Sequence, residues 1–273
     1  MITMQTYGYI ASVFMGLSLG LIGGGGSILT VPILVYLFLV DPMTATSSSL
    51  FIVGSTALVG AVLAYLRNDI DVKTGVLFFL PSFVGVFLTK SFLVPMIPET
   101  VFTFQNFIFT KPLLIMSLFA ILMLMASLAM IRSKKKSIET SEEKFDPKQK
   151  HKHIQISVQG LVVGVVTGFV GAGGGFLIVP ALVNLVGLNM RKAIGTSLMI
   201  IAANSLFGFT ISISKGLVVN WNFLVSILSM ALVGLITGSF FSKKVPEQKL
   251  KMGFGYFVLS MGTFVLWDQI KKL

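Results

Sequence analysis

Apolar residues run through this chain in long unbroken stretches, separated by short polar breaks. Six stretches, at 45–66, 74–94, 112–131, 193–214, 222–242 and 252–267, approach the length of a spanning helix. A bilayer core of about 30 Å needs about 20 apolar residues as helix. None of the six carries Asp, Glu or His in its middle, and none alternates apolar with polar residues as barrel strands do. Each half also opens on a broken stretch. Residues 8–22 and 27–40 flank one glycine cluster, and 158–170 and 176–188 flank another. At about 1.5 Å per residue each piece is roughly 20 Å long, too short to cross comfortably, while the joined pair is too long for one straight span. The pattern predicts two pairs of short helices meeting at glycines, either re-entrant or as two thin spans.

The main polar break lies at 132–154, which holds eight Lys/Arg, four Asp/Glu and both histidines, His151 and His153. It reads as a solvated linker, because an HKH triplet without further ligands is a weak metal signal. Shifting the chain by 148 residues lays 16–60 on 164–208 without a gap, and 17 of those 45 positions are identical. Chance in so biased an alphabet gives about four. Pro98-Glu99 and Pro246-Glu247 resume the match. The expected organisation is therefore an all-α polytopic membrane protein of two homologous repeats, 1–131 and 155–273, joined by the basic linker 132–154. Each repeat contributes a Gly-broken pair of short helices and three longer spans.

Composition narrows the class further. The 273 residues are 55% hydrophobic and only 11% charged. That leaves too little polar surface for a water-soluble protein. The net charge of +11 could suggest nucleic acid, but the bases cluster at the ends of apolar runs and in the linker. The positive-inside rule accounts for that distribution, so no nucleic-acid partner is expected. There is no Cys, which removes disulfides, thiolate catalysis and cysteine metal sites. The first basic residue is Arg67, so the N-terminus reads as a retained membrane segment, not a signal peptide. Either form of the broken pair gives an odd number of crossings per half, so the repeats are expected to be inverted. With the linker inside, 16 of the 21 basic residues fall on the inner side and both termini lie outside.

The candidate chemistry sits in the glycine clusters, Gly23-Gly24-Gly25-Gly26-Ser27 and Gly171-Ala172-Gly173-Gly174-Gly175. Neither has the Gly-Lys-Ser/Thr ending of a phosphate loop or the third glycine of a dinucleotide fingerprint. Glycine lets the backbone turn sharply and lets amides approach a ligand closely. A helix that starts just after such a corner presents unpaired N–H groups and a positive dipole end. Two such ends near the midplane would hold an anion without a buried Lys or Arg. Hydroxyl-rich helix starts add donors: Ser48 and Ser49 in the first half, Thr196 and Ser197 in the second, with Asn204 about two turns further on. Capping and interhelix bonding are equally good readings of those side chains. Gly16-xxx-Gly20, Gly164-xxx-Gly168 and Gly234-xxx-Gly238 read as helix-packing motifs. Lys90, well inside an apolar run, reads either as a side chain snorkelling to the interface or as an anion-attracting charge near the outer mouth. Without intramembrane His, Cys or paired acids, neither an enzyme nor a cofactor is expected.

The doubled Gly-xxx-Gly-xx-Gly-x-Gly-Gly pattern running into proline, Gly16 to Pro32 and Gly164 to Pro180, resembles the TauE/SafE family, as do Gly195-Thr196-Ser197 and the Pro-Glu pairs. The resemblance covers nearly the whole chain outside the linker, with Ser27 departing from its mate Gly175. It implies a multi-pass transporter of a bacterial-type plasma membrane, an exporter of sulfite, sulfonates or related small sulfur-containing anions. Its expected partners are that anion, the lipid bilayer and a coupling ion, proton or sodium. Asp41, Glu99, Glu247 and Asp268 are the end-of-helix candidates for coupling. A passive anion channel of the same architecture is the alternative. Exact substrate, direction, coupling ion and oligomeric state are not written in the sequence.

Overall fold

A computed structural model describes residues 2–104, 107–132, 149–170, 174–242 and 246–271. The chain is helical almost throughout. The first half runs α1 (Ile2–Ile22), a tight turn over Gly24–Gly26, α2 (Ser27–Pro32), α3 (Pro42–Tyr65), α4 (Val72–Leu88) and the single turn α5 (Val94–Met96). Strands β1 (Thr100–Phe104) and β2 (Phe107–Thr110) follow, then α6 (Lys111–Arg132). The second half runs α7 (Gln149–Val170), α8 (Gly175–Ala181), α9 (Met190–Ser214), α10 (Trp221–Phe241) and α11 (Glu247–Lys271). Among the described residues, four helices are long and apolar enough to cross a bilayer: Pro42–Tyr65, Val72–Met96, Met190–Ser214 and Trp221–Phe241. Their outward faces carry Leu58 and Val62 on α3, Leu80 and Val84 on α4, and Val233 and Phe240 on α10, a surface suited to lipid and costly in water.

Three features depart from the pattern reading. First, the antiparallel pair β1–β2 interrupts an otherwise helical chain, with Thr100 opposite Thr110 and Phe104 opposite Phe107. Its residues, Thr100-Val101-Phe102-Thr103-Phe104 and Phe107-Ile108-Phe109-Thr110, are β-branched and aromatic, which favours a strand where no neighbouring helix imposes another choice. Second, α7 begins at Gln149, inside the stretch read as linker, so His151 and His153 stand on its first turns. Third, three helices widen into π-helical turns, at Ile33–Leu37 after α2, Thr89–Leu93 after α4 and Leu182–Val186 after α8. Pro32 and Pro180 each precede one of these turns closely. A proline inside a helix removes a backbone donor and crowds the preceding turn, and the widened ladder absorbs the misfit.

The glycines fix helix directions. A β-carbon on Gly60 would lie 3.1 Å from Leu198 Cδ1, and one on Gly208 would lie 3.1 Å from Leu50 Cδ1. Helices α3 and α9 therefore pack antiparallel. On α1, Gly16 abuts the Ala231 carbonyl and Gly20 the Leu235 carbonyl, while Gly234 and Gly238 of α10 abut the carbonyls of Val13 and Leu17. Helices α1 and α10 therefore run parallel with backbones in contact. Helices α4 and α7 repeat this: Gly160 meets Phe78, Gly164 meets Ser82, and Gly85 meets Leu161 and Val165. Helices α6 and α11 run antiparallel, with Ser127 Oγ donating to the Gly255 carbonyl at 2.8 Å and Gly262 beside Met123 and Leu124. These four pairings are the most extensive in the molecule. In each one, the partners come from opposite sides of the linker.

Candidate functional site

Each glycine corner ends a helical hairpin. In the first, the chain climbs along α1, turns at Gly23–Gly26 and descends along α2. Gly26 packs back on Met15 and Leu19, and the Phe38 ring returns to the level of Gly8, with Tyr9 and Phe38 at 5.3 Å between ring centroids. Glycine is required at the bend because Gly23 has φ of 78°. At the second corner the left-handed residue is Gly174, with φ of 64°. Its repeat mate Gly26 has φ of −68°, so the two corners differ in backbone conformation at that position. Gly171, Ala172 and Gly173 lie outside the described residues.

The two corners touch. A β-carbon on Gly24 would strike the Gly175 backbone, and one on Gly175 would lie 2.5 Å from Gly24 Cα. Beside this contact, the β-carbon position of Gly23 is 2.9 Å from Ser197 Oγ and 3.1 Å from Ile194 Cα, and that of Gly175 is 2.5 Å from Ile201 Cδ1. The first corner therefore reaches the opening turns of α9, and the second reaches its middle. Gly24, Gly25, Gly26 and Ser27 are buried, as are Gly174 and Gly175. Ser48, Ser49, Thr196, Ser197 and Asn204 are buried too. The structure thus brings together Gly23, Gly24, Gly175 and Ser197. Ser48 and Ser49 sit on α3, which packs on α2.

The expected hydroxyl donors are engaged locally. Ser27 Oγ donates to the Gly24 carbonyl at 2.7 Å, Ser49 Oγ to Thr46 at 2.9 Å and Ser197 Oγ to Ile194 at 2.8 Å. Thr196 Oγ1 accepts from the Asp71 amide at 2.9 Å, tying α9 to the start of α4. In the ground state these groups therefore stabilise helix starts, and contacting a ligand requires only a hydroxyl rotation. Asn204 donates through Nδ2 to Ser82 Oγ, across to α4. Among the described residues, the buried Asn204 Oδ1, Ser205 Oγ, Thr30 Oγ1 and Gln159 Oε1 have no hydrogen-bond partner. Buried polar atoms are rarely left so, and their unused capacity marks an interior able to bind something polar. Thr30, Ser82 and Ser205 escaped the sequence reading. Each lies in an apolar run with nothing in its spacing to single it out, although Ser205 adjoins Asn204.

The acidic candidates separate. Asp41 caps α3 by accepting from the Met43 and Thr44 amides. Glu99 is exposed and pairs with Lys111 at 3.6 Å. Asp268 near the end of α11 accepts from Tyr36 Oη at 3.0 Å, on the returning arm of the first hairpin, and Gln269 joins them at 3.1 Å from Tyr36 Oη. The side chain of Glu247 lies outside the described set.

Comparison with known proteins agrees with this architecture. A probable membrane transporter protein of Xylella fastidiosa (strain Temecula1) is 28% identical over 268 residues, covering 95% of this chain and 94% of its own. The Bacillus subtilis probable membrane transporter proteins YunE and YdhB are each 26% identical, over 96% and 87% of this chain and 98% and 90% of their own. No solved structure matches the chain. The model of the sulfite exporter TauE/SafE family matches residues 9–265. With that match spanning both glycine corners and all four bilayer-length helices, the chain belongs to the sulfite exporter TauE/SafE family of membrane transporters.

Proposed function

We propose that the protein is a secondary transporter, working as an exporter, of sulfite, sulfonates or related small sulfur-containing anions. The observation that carries this is the meeting of two glycine corners, backbone to backbone, inside the helical bundle. A corner without β-carbons lets amides of the following helix start reach a guest, and the dipole end favours negative charge. In this reading the anion binds beside the contact of Gly24 with Gly175, and Gly23, Ser197 and the oxygens of Asn204 and Ser205 support it as the polar or open groups of that region. The antiparallel α3–α9 pair supports an inverted relation between the halves, since the two helices are repeat mates. The reciprocal pairs α1–α10 and α4–α7 support a two-fold relation in the same way. Inverted halves supply alternating access when one rearranges against the other. The same directions put Arg67, Arg132 and Gln149 at one end of the bundle and Ile2, Lys90, Lys215 and Lys271 at the other. The charge bias favours the cytoplasm for the former.

The test is binding of a panel of sodium salts (sulfite, thiosulfate, taurine, sulfoacetate, acetate) to purified protein, followed by counterflow in proteoliposomes. Saturable uptake accelerated by internal anion is expected. Uptake without trans-stimulation would indicate a passive channel, and no binding by any anion would overturn the reading. Gly25→Val and Gly173→Val should each abolish transport with membrane insertion intact.

A further inference from the structure

Lys90 is the basic residue furthest from the ends of its membrane span, and the structure buries it: only 8% of its surface is exposed. It stands in the π-helical turn Thr89–Leu93, which packs on α7 and α9. The residue before it, Thr89, lies against Gly168 and donates through Oγ1 to the Val165 carbonyl at 3.2 Å. Gly168 is the last packing glycine of α7 before the second corner begins at Gly171. Lys90 is thus held where the end of α4 meets the last turns of α7. Lys215, at the end of α9, sends its ammonium to the carbonyls of Lys90 and Ser91 at 2.7 and 2.9 Å. It thereby takes up carbonyls freed by the widened turn and adds a second positive charge at the same end.

Among the described residues no carboxylate answers these charges. Among the described residues neither ammonium forms an ion pair, and the described ion pair is that of Lys111 with Glu99. Asp41 is occupied as a helix cap, Asp268 is bonded to Tyr36, and Asp69 and Asp71 lie at the opposite end of α4. A buried ammonium without a counter-charge is costly, and a bound anion removes that cost. The repeat mate of Lys90 is Gly238, which packs on Leu17, whereas the mate of Lys215 is Arg67, which donates to Ser239 Oγ at 2.9 Å; the charge present in one half alone is that of Lys90.

We propose that Lys90 is the charge-pairing residue of the anion path. Its ammonium, carried on the buried turn that packs on α7 and α9, takes a small oxyanion arriving from the Lys215 end, a charge that the mate position Gly238 lacks. This rests on the anion-transport reading above.

The experiment is thermal unfolding of the detergent-purified full chain against increasing sodium sulfite or thiosulfate, with sodium chloride held at fixed ionic strength, for wild type, Lys90→Gln, Lys90→Arg and Gly25→Val. The expected result is at least tenfold weaker anion affinity in Lys90→Gln. Lys90→Arg should stay within threefold of wild type, because a guanidinium also pairs with an oxyanion. In proteoliposomes the same neutral variant should raise KM with kcat much less affected. A lowered unfolding temperature with unchanged anion affinity would make Lys90 purely structural and overturn the proposal. If Gly25→Val loses binding while Lys90→Gln keeps it, the transport reading stands and this inference falls. If wild type itself shows no anion-dependent shift, both fall.

Discussion

At Gly24 the space for a side chain is already filled by the backbone of Gly175. Adding even a methyl group must part the two hairpins. Gly24→Ala is expected to cost about 1–3 kcal/mol as overpacking and to weaken anion binding, read as a lower unfolding temperature with a diminished anion-dependent shift. Gly175→Ala should act alike. Because both methyl groups intrude on one shared gap, the double variant should cost clearly less than the two single costs added, a coupling that a double-mutant cycle measures. An additive result would show that the corners are not in contact. The glycines themselves were legible in the sequence, since five small residues in a row, twice, exceed what helix packing needs. Their mutual contact was not legible, because nothing in a one-dimensional pattern says which corner meets which. Nor does composition reveal that Ser27, Ser49 and Ser197 donate to carbonyls three residues earlier in the chain.

The helical elements divide between those the hydrophobic pattern dictates and those that irregular backbone creates. Bilayer-length α3, α4, α9 and α10 follow from length and apolarity alone, and each begins after an Asp or Asn side chain that accepts from the first-turn amides. The π turns do not follow, because their causes are local: a nearby proline in all three cases, Pro32, Pro180 and Pro95, with the third turn also braced from outside by Lys215. The β1–β2 hairpin was missed because strand propensity in a few residues is a weak signal beside the surrounding helical runs. The hairpin from α1 to the Ile33–Leu37 turn is pinned at its base by Tyr36 bonding to Asp268. Tyr36→Phe removes that donor while keeping the ring, which packs edge-on with Phe264 at 5.4 Å between centroids. The expected loss is about 1–3 kcal/mol, typical of a hydrogen bond to a charged group, detectable as a lower unfolding temperature. No change on this substitution would mean that the base of the hairpin is held by packing alone.

For the molecule as a whole, the all-α membrane class was legible from the apolar runs, and the proposed inversion of the two halves is a matter of sidedness. The chain lacks cysteine, so single cysteines can report sidedness without background. Cysteine at Ser141 in the linker and at Gly216 between α9 and α10 should be labelled from opposite faces of right-side-out vesicles. Labelling from the same face would contradict inversion. Deleting residues 133–148 should leave transport within about twofold, because the helices on either side make their principal contacts elsewhere; loss of transport would give that stretch a role beyond connection. The pairing of α1 with α10, and of α7 with α4, also bears on how the chain is made. The close-contact stripe of α1, Gly16 and Gly20, has no cover until more than two hundred further residues have left the ribosome. An N-terminal fragment is then not a finished domain but a half-clasp, and the last-synthesised helices decide whether the first ones survive quality control.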